Sequence, residues 1–301
     1  MKLKGKVLIA NTGEDTLTYL DIEKGEVIEI IDLKTIGSSP IGPYELISID
    51  NLFVYCINIY ENSLYKINME KRKIVDTLYI GTYPTCISFF KNCFYIVNTD
   101  SNSISVVDVE SFSLMESIPV GEKPMDMEID EINEKIYVAN SNNSSISRID
   151  LNSNENIIIN LENNPLKMIL EGNQIYILSN INNSLFQKCN ISLLDLETLK
   201  EKKFIELNGT FNTMIKINSS EIIFTTNIDN GYLYRIDIKK KNILSKTNLL
   251  GLPNKLVWDG NRMVYITNLS TNTLSLFDIK TSNIIKSIKV GIEPNGILFF
   301  P

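Results

Sequence analysis

The sequence predicts an all-β fold, a seven-bladed β-propeller with four-stranded blades, and three observations carry that prediction. The first is composition. The 301 residues include two alanines, Ala10 and Ala139, against 36 asparagines, 13 tyrosines and 12 phenylalanines. Alanine is the best helix former, whereas aromatic and β-branched side chains fit a pleated surface and asparagine fits turns, so a mostly helical chain is excluded. The second is a seven-fold internal repeat of blade length. The third is a strand at the C-terminus that belongs to no repeat of its own.

Each repeat opens on a run of aromatic and β-branched residues ending in asparagine: Leu8-Ile9-Ala10-Asn11, Tyr55-Cys56-Ile57-Asn58, Tyr95-Ile96-Val97-Asn98, Tyr137-Val138-Ala139-Asn140, Ile177-Leu178-Ser179-Asn180, Phe224-Thr225-Thr226-Asn227 and Tyr265-Ile266-Thr267-Asn268. An alternating second strand follows, closed by Asp21, Asn68, Asp108, Asp150, Asp195, Asp237 or Asp278. The fifth repeat reaches its aspartate late, and the extra residues are assigned to a loop from Ile181 to Asn190, containing Phe186 and Cys189, a candidate lid or partner loop. A third strand comes next. A turn, often Gly-x-x-Pro, then leads into a fourth strand through Pro43, Pro84, Pro124, Pro165, Pro253 or Pro294, with Phe211 in that slot once.

The motif Tyr137-Val138-Ala139-Asn140, with Ile146-Ser147-Arg148-Ile149-Asp150, Val120-Gly121-Glu122-Lys123-Pro124 and their copies, resembles the YVTN-repeat, YncE-like propeller family, whose blade length is WD40-like. The resemblance covers essentially the whole chain and implies one propeller domain over residues 1–301. Closure follows from the ends. The first repeat starts at Val7 with no strand ahead of it, and the orphan strand 295–300 is the remaining candidate to complete that blade. Pairing there also covers an edge that would otherwise template aggregation.

Function is less legible than architecture. Histidine is absent, which excludes His-based triads, His-metal sites and His relays. The formal net charge of −7 disfavours binding to a phosphate backbone, though a local basic patch is compatible with it. The apolar run near the N-terminus, Val7-Leu8-Ile9-Ala10, ends at Asn11 and is too short for a secretory signal or a spanning helix, so a cytoplasmic chain is expected. Cys56, Cys86, Cys93 and Cys189 show no CxxC or metal spacing and read as free thiols; a Lys91-Asn92 hairpin turn would put Phe90 opposite Cys93 and Cys86 opposite Val97. No P-loop, GxGxxG, GxSxG elbow or EF-hand loop is present, and no cofactor or metal is expected. The lone tryptophan, Trp258, reads as core.

The motif asparagines and aspartates recur in every blade and read as scaffold, bonding nearby backbone at strand ends and turns. A site is better sought where the blades differ. The third position after the proline slot is apolar throughout: Leu46, Ile87, Met127, Met168, Met214, Leu256 and Ile297. The second position is polar or small: Glu45, Cys86, Asp126, Lys167, Thr213, Lys255 and Gly296. In a propeller of this type these residues would ring the mouth of the central channel, with Tyr44 and Asn254 beside them, and they form the candidate ligand site. The resemblance implies a non-enzymatic scaffold or binding protein. The alternative is a histidine-independent, lactonase-like hydrolase or lyase in which Glu45 or Asp126 is the base and Lys167 or Lys255 stabilises negative charge. No residue is assigned as catalytic. The expected partner is a protein or a small polar ligand; nucleic acid and membrane are not expected, and the chain is expected to be a monomer.

Overall fold

The computed structural model describes residues 5–34, 39–50, 52–181, 187–218 and 220–300. Those residues build seven four-stranded antiparallel sheets, the blades of a β-propeller, and no helix. The first blade is assembled from both ends of the chain: Pro294–Phe300 leads, followed by Lys6–Asn11, Thr16–Asp21 and Glu26–Asp32. Register confirms the expected closing strand, with Lys6 opposite Phe300, Val7 opposite Phe299 and Ile9 opposite Ile297. In the other six blades the four strands follow chain order, led by Pro43–Ile47, Pro84–Phe90, Pro124–Asp130, Asn164–Glu171, Phe211–Lys216 and Pro253–Trp258.

By its packing the chain divides into two units. One runs through residue 80, takes in residues 230–233 and resumes at 247; the other comprises residues 81–229 and 234–246. In the first unit, Leu8, Ala10, Leu17, Leu46, Val54 and Cys56 form a buried layer between the first two blades. In the second, Tyr95, Val97, Ile104, Met127, Ile136 and Val138 do the same between the third and fourth. The apolar third position after the proline slot is buried in every blade, from fully buried Met168 to Ile87 at 7% exposure.

The repeated polar residues are scaffold, and the geometry shows how. The Asn140 amide donates to Ser145 Oγ at 3.1 Å and Ser147 Oγ at 3.0 Å, and Asn98 and Asn11 repeat this with Ser103, Ser105, Thr16 and Thr18. Asp21, Asp108, Asp150, Asp195, Asp237 and Asp278 each accept a backbone N–H two or three residues on, and Asn68 does so with its amide oxygen. One acceptor oxygen is all that turn needs, which is why asparagine substitutes there without loss.

The Lys91-Asn92 turn is as expected: both residues have positive φ, Phe90 faces Cys93 and Cys86 faces Val97. Two expectations fail. The loop in the fifth blade ends before Lys188, because Lys188–Asp195 is a strand in which Cys189 sits opposite Asn180. Cys189 is fully buried, and its thiol donates to Asn180 Oδ1 at 3.1 Å. It fills the place of the serine or threonine that partners the motif asparagine elsewhere, so it belongs to no lid; Phe186 lies outside the described residues. Trp258 ends its strand half-buried rather than in the core, with a buried Nε1 that has no hydrogen-bond partner.

Candidate functional site

The lead strand of every blade carries a register shift immediately after the proline slot. A bulge there adds one residue and re-aims the side chain that follows, the second position. The seven second-position residues singled out from sequence follow that shift, and the structure sorts their charges into two ion pairs, one in each unit.

In the second unit, Lys167 Nζ lies 2.6 Å from Asp126 Oδ1, and the Met168 N–H donates to Asp126 Oδ2 at 2.7 Å. Cys86 Sγ is 3.8 Å from Asp126 Oδ1. Asp126 is buried, whereas the Lys167 side chain is 27% exposed. Burial opposes the Lys167 charge, but the Asp126 carboxylate, helped by Cys86 and Glu128, outweighs it and holds Lys167 above the ordinary lysine range. Thr213 is also buried in this unit, and its backbone carbonyl accepts a bond from Thr225 Oγ1 at 2.7 Å.

Sequence reasoning missed Glu128. It stands two residues beyond Asp126 on the same strand, hence on the same face. Burial and the neighbouring Asp126 carboxylate push its carboxyl up to about 7, against the opposing pull of Lys167 and the Leu170 backbone. A signal for it existed. The same position in the other blades holds Ile47, Ser88, Ile169, Ile215, Val257 and Leu298, so Glu128 is the one charged residue in that layer of the repeat.

In the first unit, Lys255 Nζ is 2.7 and 2.6 Å from the two Glu45 oxygens. The Lys255 side chain is 27% exposed and that of Glu45 16%. Asn254 donates to Asn295 Oδ1, and Asn295 Nδ2 donates in turn to Thr12 Oγ1 at 2.6 Å, which itself donates to the Pro43 carbonyl at 2.7 Å. Asn295 is a second residue the sequence reading passed over. Tyr44 is half-buried, and its carbonyl oxygen would lie 2.5 Å from a Cβ built on Gly296. Glycine in the seventh copy therefore serves close approach of two backbones.

Among the described residues, no three cysteine, aspartate or glutamate side chains are grouped to hold a metal ion. No helix of the described chain is long and apolar enough to cross a membrane. All four cysteines are free thiols. The chemistry available is that of paired carboxylates and ammoniums, side-chain amides and one protonatable carboxyl.

A scan of family models finds no match to the chain, and a search of curated proteins finds none. Solved structures do match. A protein from Lactobacillus plantarum is similar with a TM-score of 0.77 and 9% identity, over 99% of this chain and 100% of that one. The fold is a seven-bladed β-propeller. A putative 6-phosphogluconolactonase from Bacteroides fragilis NCTC 9343 shares it at TM-score 0.75 and 13% identity, over 99% and 98% of the two chains. Streptogramin B lyase shares it at 0.68 and 15%, over 86% and 88%. Identities this low carry the architecture and leave the activity open.

Proposed function

We propose that this chain is a binding propeller of the YVTN-repeat, YncE-like type, which takes a small polar ligand at the second-position residues and performs no chemistry on it. One observation carries the reading: the Asp126 and Glu45 carboxylates are both occupied. Lys167 and the Met168 N–H take the two oxygens of Asp126, and Lys255 takes both of Glu45. Each oxygen of the two carboxylates already accepts such a contact, so both groups serve to hold an ammonium in place and neither is committed to taking a proton from a substrate. Each ammonium has three N–H donors and is about a quarter exposed, so Lys167 and Lys255 retain donors for a ligand's acceptors. Neighbouring Asn254 and Asn295 add amide groups of both kinds.

The test is a thermal-shift titration with sugar acids and amino acids as probes. A saturable rise in Tm that is lost in Lys167→Met or Lys255→Met supports the reading; no rise with any probe overturns it.

A second reading, a histidine-independent hydrolase or lyase, is favoured by Glu128 alone. A carboxyl that titrates near neutrality beside an ammonium is the kind of group that serves as acid and base. Two of the similar structures, a putative lactonase and a lyase, are compatible with it. Turnover of a lactone by the wild-type chain, abolished in Glu128→Gln, would establish this reading over the first.

A further inference from the structure

A groove of about 350 Å³ lies on the second unit and shares no lining residue with the candidate site described above. The fifth blade supplies its wall through Tyr176, Leu193, Lys202 and Phe204, and the sixth supplies Lys239 and Lys241. Tyr176, Leu193 and Lys202 are successive cross-strand neighbours, so they share one face of the blade. Phe204 is the extra residue of a bulge, between the pairs Ile191–Ile205 and Ser192–Lys203. Its ring lies 6.3 Å from that of Tyr176 at an interplanar angle of 30°. The aromatic wall is therefore Phe204, which is half-buried, backed by the buried Tyr176, whose ring carries Lys216 Nζ 5.4 Å from its centroid.

The rim is basic, although the chain carries a net charge of −7. Lys239 and Lys241 belong to the turn after Asp237, whose Oδ1 accepts the Lys240 N–H at 2.8 Å and fixes the turn. At the Lys239 position the other blades carry Glu23, Glu70, Glu110, Asn152, Glu197 and Lys280. A position that is mostly acidic is thus reversed beside the aromatic wall. Lys203 and Lys240 are paired, with Glu162 at 2.8 Å and Asp237 at 3.8 Å. Lys202, Lys239 and Lys241 form no ion pair with a described residue. Glu221 is the groove's one carboxylate.

Three unpaired ammoniums against one carboxylate call for a ligand with more than one negative charge. A phosphate monoester carries about −1.5 to −2 near neutrality, which a single carboxylate does not match. The aromatic wall calls for a flat ring on the same molecule. The volume is that of a small-ligand pocket. We propose that this groove binds an aromatic phosphate monoester of nucleotide type, the ring against Phe204 and the phosphate among Lys202, Lys239 and Lys241. Lysine suits the phosphate as a point charge where no guanidinium fork is present.

Isothermal titration of the full chain with adenosine monophosphate, adenosine and inorganic phosphate tests this. Adenosine monophosphate should bind saturably and at least tenfold more tightly than either fragment. The Lys239→Gln/Lys241→Gln double variant should weaken it at least about tenfold, and raising the salt should weaken it further in the wild type. Phe204→Ala should cost about five- to tenfold, at the low end for loss of one stacking partner. The lysine variants are surface changes, so an altered fold in Phe204→Ala leaves the test intact. Lys280→Gln, at the position of the seventh blade equivalent to Lys239, should leave the affinity unchanged, which assigns the effect to the groove rather than to any turn lysine. Absence of binding at millimolar concentration overturns the proposal, as does equal affinity for phosphate alone or unchanged affinity in the lysine variant.

Discussion

Lys255 and Glu45, 210 residues apart, are joined by two contacts of 2.7 and 2.6 Å, with Gly296 close beside the Glu45 backbone. A methyl group on Gly296 would meet the Tyr44 carbonyl oxygen at 2.5 Å and Glu45 Cα at 3.2 Å. Both are backbone atoms of a neighbouring strand and have little room to yield. Gly296→Ala should therefore destabilise the chain by about 1–3 kcal/mol, the usual cost of overpacking. Urea unfolding measures it; a loss below ~0.5 kcal/mol would mean the two strands can part freely.

The two ion pairs differ in what they leave behind when broken. Lys167→Met leaves the buried Asp126 carboxylate with only neutral partners, the Met168 N–H and the weak Cys86 thiol donor, whereas Lys255→Met leaves a Glu45 side chain that water reaches. Uncompensated buried charge is the larger penalty, so Lys167→Met should cost about 2–3 kcal/mol and Lys255→Met about 1 kcal/mol. The ordering is the test. Equal losses in chemical denaturation would show that burial does not distinguish the pairs.

Much of this was legible in the sequence, for a physical reason. Strand ends and tight turns are local, so the motif asparagine, the closing aspartate and the Lys91-Asn92 turn announce themselves by residue type alone. The closing strand was legible by counting, since a repeat missing its first strand and a strand missing its repeat complete each other. Pairing was not. That Asp126 meets Lys167 while Glu45 meets Lys255 depends on which strands neighbour one another and on where a glycine lets two backbones close in. Glu128 was marked by the repeat as the one charged residue of its layer, but its burial, which gives that charge its weight, is not written in the pattern. Phe204 reaches Tyr176 through a bulge that shifts it off the alternation of its strand.

Cys189 offers a test of the repeat logic. Its thiol stands where Thr16, Ser63, Ser103, Ser145 and Thr273 stand in other blades, opposite the motif asparagine. Burial pushes the thiol up to about 11, which leaves it a protonated donor at neutral pH. Cys189→Ser keeps the donor and restores the residue type of the repeat, so its stability should stay within about 1 kcal/mol of wild type. Cys189→Ala removes the donor to Asn180 and should cost about 1–2 kcal/mol. An alanine variant as stable as the serine variant would show that packing alone holds that position.

Glu128 links stability to pH. Its carboxyl titrates at about 7 in the folded chain, and an unfolded glutamate titrates near ~4.3. Between those values the native state holds a proton that the unfolded state has released. The stabilisation from this group is therefore fully present below about pH 4, falls as pH rises toward 7 and is level above it. Glu128→Gln cannot release that proton and keeps a similar shape. The variant should match wild type in Tm near pH 4 and exceed it at pH 8, where wild type carries a second carboxylate beside Asp126. The gap between about 7 and ~4.3 corresponds to a gain of about 3–4 kcal/mol at pH 8, a rise in Tm of roughly 5 °C for a chain of this length. Scanning calorimetry from pH 4 to 8 reads the difference directly. A constant offset between the two proteins would place the titration elsewhere, whereas an offset that opens between about pH 5 and 7 assigns it to this carboxyl.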